Sequence, residues 1–171
     1  TYLQLAEMIK TEELDLVVLC TPSGLHVKEA IAAAEVGKNV ITEKPMALRL
    51  DDGIKMVKKF NDKNLNLFVV KQNRFNDALM LLKKQIDSGN FGKISVVSIN
   101  VFWHRSQQYY DNDSWRGTKL LDGGALINQA SHYVDLLIWL FGEVKYVFAQ
   151  NSTLGRCIEV EDTSLLQFEW G

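Results

Sequence analysis

Residues 14–22 read Leu-Asp-Leu-Val-Val-Leu-Cys-Thr-Pro, an apolar run closed by a threonine and a proline. So dense a run predicts a strand over 14–20 buried on both faces, as in parallel sheets. Upstream, residues 3–10 have the spacing of a short amphipathic helix. Downstream, Ser23 stands where it can cap a helix over 26–36, Gly37 stops that helix, and residues 39–42 resume as a strand. This is a β-α-β unit. A second helix over 51–61 is expected to bury Ile54, Val57 and Phe60, and residues 67–70 form another short apolar strand. The alternation predicts an α/β fold built on a parallel, doubly wound sheet.

From about residue 71 the pattern changes. One helix, 77–87, ends at Ser88-Gly89, and then strands are expected over 94–103, 144–150, 156–160 and 164–170, with one helix, 124–141, among them. Consecutive strands of this kind predict an α+β domain with a mostly antiparallel open sheet. The division expected is residues 1–72 and 73–171. Both parts are expected to be incomplete, because Thr1 falls inside a helix-like stretch and Gly171 follows directly on a strand-like one.

With 47% hydrophobic residues and two prolines in 171, the chain can bury a sizeable core, and a net charge of -2 with mixed signs offers no basic face to phosphates or anionic lipid. Neither nucleic acid nor a membrane is expected as a partner. Cys20 and Cys157 form no close pair and no signal peptide is legible, so a cytoplasmic setting is expected. His26, His104 and His132 lack ligand spacing, and no metal site is expected.

Chemistry enters where the strand 39–42 ends, since Glu43-Lys44-Pro45 lies at the carboxyl edge of a parallel sheet, where open α/β folds place ligands. The proline biases Lys44 toward an extended backbone, from which its ammonium could steady a developing alkoxide. A surface lysine at a strand end reads the same way from three residues. On the helix from Gly124, residues Asn128, His132, Asp135 and Trp139 are spaced by four, three and four and form one polar stripe, with Ile127, Val134, Leu137, Ile138 and Phe141 expected on another side. A neutral imidazole can accept an alcohol proton while hydride leaves the same carbon. The alternatives are a structural histidine and an Asp135 that only anchors the helix. Gly123 and Gly124, after Asp122, would let a ligand approach the backbone, and they are also ordinary helix-start residues. The loop 104–118 carries Arg105, Tyr109, Tyr110, Trp115 and Arg116, a lining suited to sugars and phosphates.

Taken in order, Leu19-Cys20-Thr21-Pro22 with His26, then Glu43-Lys44-Pro45, Trp115-Arg116, Gly123-Gly124 and the run 128–135 resemble the Gfo/Idh/MocA oxidoreductases over essentially the whole chain. Within that family, Tyr109-Tyr110-Asp111, residues 115–118 and residues 122–129 resemble the bacterial branch that oxidises the 3-hydroxyl of UDP-N-acetylglucosaminuronic acid for surface polysaccharide. The resemblance implies a Rossmann-type first domain and NAD as cofactor, with NADP left open because the deciding residues and the glycine-rich phosphate turn would precede Thr1. It implies that Cys20, Thr21, Pro22, His26, Glu43, Lys44, Trp115 and Arg116 border the dinucleotide. Lys44, His132 and Asn128 would be catalytic, and Arg105, Tyr110, Arg116, Thr118, Asn128 and Gln129 would join Lys44 and His132 around a nucleotide-sugar substrate. Many relatives carry aspartate where this chain has Asn128, which would leave more of the acid-base work to His132. A homo-oligomer through the second-domain sheet is implied as well. Two other readings stand beside this one: a dehydrogenase of a free sugar, inositol or other polyol, and a non-catalytic regulator that senses dinucleotide.

Overall fold

The computed structural model describes residues 2–11 and 13–171. Three strands, β1 (Leu16–Leu19), β2 (Asn39–Thr42) and β3 (Leu67–Val69), form a parallel sheet in that order, with Leu19 opposite Thr42 and Thr42 opposite Val69. Helices α1 (Leu5–Thr11), α2 (His26–Glu35) and α3 (Leu50–Asp62) accompany them. Because strand side chains alternate, Val17 and Leu19 of β1 and Val40 and Thr42 of β2 are the buried ones. They meet Ala30, Ala33 and Ala34 of α2 and Met56 and Phe60 of α3, all at most 1% exposed. The three alanines, at helical spacing, let α2 lie close to both sheet and α3. Each large apolar side chain so buried contributes roughly 1.5 to 3 kcal/mol.

Several expectations need correcting here. Burial of β1 is one-sided: Val18 is 58% exposed, so this strand buries only its alternate residues among the described parts of the chain. Ser23 does not cap α2. It opens a 3-10 turn, Ser23–Leu25, that feeds the helix without a side-chain cap. On α3 the buried residues are Gly53, Met56 and Phe60, while Ile54 and Val57 face outward. Gly37 does end α2, at φ +76°, its N–H bonding to the carbonyl of Ala34 at 3.0 Å.

The rest of the chain holds α4 (Asp77–Asp87), whose N-cap Asn76 accepts the Ala78 N–H at 3.1 Å, the short α5 (Gln107–Asp111), α6 (Ser131–Phe141), and the antiparallel pair β4 (Val144–Ser152) and β5 (Thr163–Trp170). Residues 94–103 are not a sheet strand. Their alternation makes an apolar face, yet among the described residues no neighbouring strand supplies ladder bonds, and Val96 and Phe102 stand 85% and 91% exposed. Residues 156–160 are not a strand either, because their backbone bonds go elsewhere: Cys157 N–H to the side chain of Gln107 and Glu159 N–H to the carbonyl of Gly117. The expected helix over 124–141 is broken into a π-helical turn, Ala125–Gln129, and α6. Among the described residues no helix is long and apolar enough to cross a membrane.

Candidate active site

The site lies where the carboxyl ends of β1 and β2 meet the π-helical turn and the start of α6. Glu43 follows directly on β2 and its N–H bonds to the carbonyl of Leu19, so the ends of the two strands are level. Beneath that edge His26 is buried, with ring nitrogens 2.7 Å from the Pro45 carbonyl and 2.9 Å from the Thr21 carbonyl. This is where the structure places the His26 that was expected to border the dinucleotide. Both its polar atoms are engaged by backbone, and it ties the 21–23 turn to the Lys44-Pro45 segment.

Lys44 projects from this platform and donates to Asn128 twice, to the backbone carbonyl at 2.7 Å and to Oδ1 at 3.1 Å. Burial pushes the Lys44 ammonium below its usual pKa, Glu43 and Asp122 oppose that shift, and Lys71 and Arg116 add to it. His132, on the first turn of α6, is buried. Burial first, then the positive charges of Lys44 and Lys71, lower its pKa and keep the ring neutral at neutral pH. A cation held on Asn128 and a neutral imidazole one helical turn further along can steady an oxygen and take a proton from it.

The stripe drawn through Asn128, His132, Asp135 and Trp139 divides into different roles. The π-helical turn lets the carbonyl of Asn128 point to Lys44 while its Nδ2 donates to the buried carboxylate of Asp122. Asp135 binds Arg74 and anchors α6 to the 3-10 turn Gln72–Phe75. His132 shares its buried stripe with Leu136 and Leu140, whereas Ile138, expected in the core, is 44% exposed. Chain entry to the π-helical turn depends on Gly124 at φ +87°: any Cβ there would strike the carboxylate of Glu161, whose Oε1 accepts the Leu126 N–H at 2.9 Å and whose backbone carbonyl accepts that of Ala125.

A second cluster adjoins through Gln129. Arg105 lies over the rings of Trp103 and Tyr109, at 5.7 and 5.1 Å, and reaches the side-chain oxygen of Gln129 at 3.4 Å. Arg116 lies over Tyr109 and Trp115, at 4.4 and 4.5 Å, donates to the Tyr109 hydroxyl, and pairs with Asp113 at 2.6 Å. Gln129 donates to the same hydroxyl at 3.2 Å. Tyr109 is therefore the hub of two arginines. Tyr110, expected at the substrate, is packed inside, its hydroxyl pKa raised by burial and by Asp122. The Thr118 hydroxyl serves its own turn, donating to the Trp115 carbonyl and accepting from Leu121 N–H. Cys20 and Thr21 are exposed at the end of β1.

Sequence reading placed Tyr109 in the lining but gave no role to Asp122 or Glu161. Asp122 had a signal, an acid placed directly before two glycines at a helix start. Glu161, 35 residues beyond the backbone N–H it caps, had none. Among the described residues no group of three or more histidine, cysteine or acidic side chains is arranged to hold a metal ion.

Comparison with known proteins places this geometry in context. Residues 1–71 match the model described as oxidoreductase family, NAD-binding Rossmann fold, and residues 79–171 match the GFO/IDH/MocA C-terminal domain. The chain is similar to the WlbA dehydrogenases of Chromobacterium violaceum and Bordetella pertussis, both solved with NADH and UDP-GlcNAcA. Identity is 51% to each, with TM-scores of 0.96 and 0.97, over 99% of this chain and 49% of theirs. It is also 35% identical over 147 residues to levoglucosan dehydrogenase of Pseudarthrobacter phenanthrenivorans, covering 85% of this chain and 38% of that protein. The chain thus spans about half the length of the solved relatives. The matched models, one of them alone covering more than half of the residues, establish that this chain belongs to the GFO/IDH/MocA oxidoreductase family.

Proposed function

We propose that this chain carries the catalytic lysine and histidine of an NAD-dependent enzyme that oxidises the 3-hydroxyl of a UDP-linked N-acetyl-hexosaminuronic acid to a 3-keto sugar. The observation that carries the reading is the convergence of Lys44 and a neutral, buried His132 at the carboxyl edge of the parallel sheet. The similarity to dehydrogenases solved with NADH and UDP-GlcNAcA over nearly all of this chain supports the substrate class.

The residues present fit a dinucleotide, because Cys20 and Thr21 are exposed at the end of β1 and Glu43 and Lys44 stand partly open at the end of β2. Cys20, Thr21, Pro22, Glu43, Lys44, Trp115 and Arg116 would hold it, with His26 bordering it from beneath the sheet edge. When bound it supplies the hydride acceptor. His132 takes the hydroxyl proton on a ring nitrogen, for which its lowered pKa leaves it free at neutral pH. Lys44 donates to the same oxygen as charge develops on it, and Asn128 holds the ammonium from behind through two acceptors. Arg105 and Arg116, stacked on aromatic rings, form a preorganised cationic lining suited to a carboxylate or diphosphate. That lining favours an anionic nucleotide sugar over a neutral polyol, the second reading, which rests on relatives such as levoglucosan dehydrogenase. A homo-oligomer through the β4–β5 sheet, a cytoplasmic setting and a division at residues 72 and 73 belong to the same proposal.

The test is turnover by the full-length protein. Reduction of NAD with UDP-N-acetylglucosaminuronic acid is expected, and it should fall by several orders of magnitude in Lys44→Ala and in His132→Ala. Normal turnover in the double variant would sink the assignment, whereas good turnover of inositol without calorimetric binding of the nucleotide sugar would favour the polyol reading.

A further inference from the structure

Asn128 presents a problem of orientation. Its side-chain oxygen accepts from Lys44 and its nitrogen faces the other way, but an amide left to itself can turn over at little cost, which would put an N–H against an ammonium. What faces the nitrogen is Asp122, 3% exposed, whose Oδ1 accepts from Asn128 Nδ2 and whose Oδ2 accepts the backbone N–H of Gly117 at 2.6 Å. Both donors are neutral, and no salt-bridging cation lies within reach of this carboxylate among the described residues. An ionised carboxylate buried in this way is costly unless a positive charge lies near it.

We propose that Asp122 is a positioning residue of the catalytic site, which locks the Asn128 amide with its oxygen toward Lys44 and supplies the buried negative charge that balances the lysine ammonium through that amide. The inference rests on the assignment of Lys44 to the reaction. It goes beyond it by placing the carboxylate six residues before Asn128 and outside the polar stripe. Only an acceptor at position 122 is compatible with the Gly117 N–H and the Asn128 Nδ2 together, and only a charged one acts on Lys44.

The groups that act on the Lys44 charge come from every side: Glu43 at the end of β2, Lys71 after β3, Arg116 after α5, and Asp122 before the π-helical turn, with His132 feeling Lys44 in return. Two of these are cations and two are acids. Glu43 is tied to the backbone N–H of Lys44 at 3.1 Å, on the strand-end side, while Asp122 acts from the Asn128 side. Removing either acid leaves Lys44 facing burial and two positive groups with a single compensating charge.

The experiment exchanges the two groups. In Asp122→Asn alone, an amide N–H would confront Asn128 Nδ2, or Asn128 would flip and turn its N–H toward Lys44. In Asn128→Asp alone, two carboxylates would meet. In the combined Asp122→Asn, Asn128→Asp variant every hydrogen bond can be remade, the new amide accepting from Gly117 and donating to the new carboxylate, which accepts from Lys44. Competitive acetylation with acetic anhydride across pH, read by peptide mass spectrometry on the full-length protein without substrate, gives the ionisation midpoint of Lys44. That midpoint is expected to fall by about half a unit or more in Asp122→Asn and to return to or above the wild-type value in the exchange variant. Turnover is expected to fall about tenfold or more in each single variant and to recover to within about threefold in the exchange. An unshifted Lys44 midpoint in Asp122→Asn, or an exchange variant no better than the worse single one, overturns the proposal. Should Asp122→Asn fail to fold, the exchange variant decides alone: a folded protein with a wild-type Lys44 midpoint supports the inference, and an unfolded one, or one with a lowered midpoint, overturns it. Wild-type turnover in Lys44→Ala would instead sink the catalytic assignment and leave the labelling result standing.

Discussion

Arg74 grips Asp135 with two parallel hydrogen bonds, Nε to Oδ2 at 2.8 Å and Nη2 to Oδ1 at 2.6 Å, and Lys71 adds its ammonium 3.6 Å away. This fork joins the 3-10 turn after β3 to the helix that carries His132. Burial pushes the Asp135 carboxyl up, but Arg74 and Lys71 outweigh it and leave its pKa lowered. For a carboxylate held low, the stabilisation is complete above the unfolded value near 4 and is lost as pH falls through the lower folded value. Asp135→Asn is therefore expected to cost about 1 kcal/mol at neutral pH, a figure kept small because Arg74 is 38% exposed, and the difference should vanish in strong acid. Urea midpoints of both proteins between about pH 3 and 7 check this.

His132 is lowered from 6.5, first by burial and then by Lys44. The folded protein therefore prefers the neutral ring, so its stability declines as pH falls below 6.5 and the unfolded chain takes up the proton first. The acid limb of kcat/KM for the free enzyme is expected below that value. In Lys44→Met the ring should titrate closer to 6.5, which NMR of the His132 ring resonances can follow without any turnover.

Gly124→Ala places a Cβ on the Glu161 carboxylate at φ +87°, and roughly 1 to 3 kcal/mol of stability should be lost. Glu161→Ala should cost about 1 kcal/mol by freeing the Leu126 N–H. Because Asn128 rides on the same π-helical turn, both changes should also lower kcat, and an unchanged kcat in either would mean that the turn holds its shape without this cap. Thermal unfolding and steady-state rates on the same preparations decide it.

Tyr109→Phe keeps the ring beneath Arg105 and Arg116 but removes the hydroxyl to which Arg116 and Gln129 donate. A KM for the nucleotide sugar raised about three- to tenfold with kcat little changed is expected, the signature of lost ground-state positioning. A fall in kcat alone would instead put Tyr109 at the reacting atoms.

The strand and helix order through residue 70 was legible because its signals are local: an apolar run at 16–19, Gly37 after α2, and short strands separated by helices of the right length. The later part was less so. Residues 94–103 have the alternation of a strand, but a strand is a relation between two segments, and among the described residues no second strand pairs with this one. The helix from Gly124 was read with a single period, but its first turn is π-helical and its leading N–H groups are taken by Glu161, distant in sequence.

What the sequence by itself determined was the pair of chemical groups: a lysine held at a strand end by the following proline, and a histidine one turn after an amide, each placed by residues within a few positions of it. That Lys44 and Asn128 touch, 84 residues apart, only the tertiary structure decided. The same holds for His26, whose two ring nitrogens are taken by the carbonyls of Thr21 and Pro45, and for Asp122, whose carboxylate accepts from the Asn128 amide and the Gly117 N–H. Local periodicity encodes which face of an element is apolar. It carries no record of which polar atom lies opposite, because that depends on the packing of elements whose contact follows from burying the whole core at once.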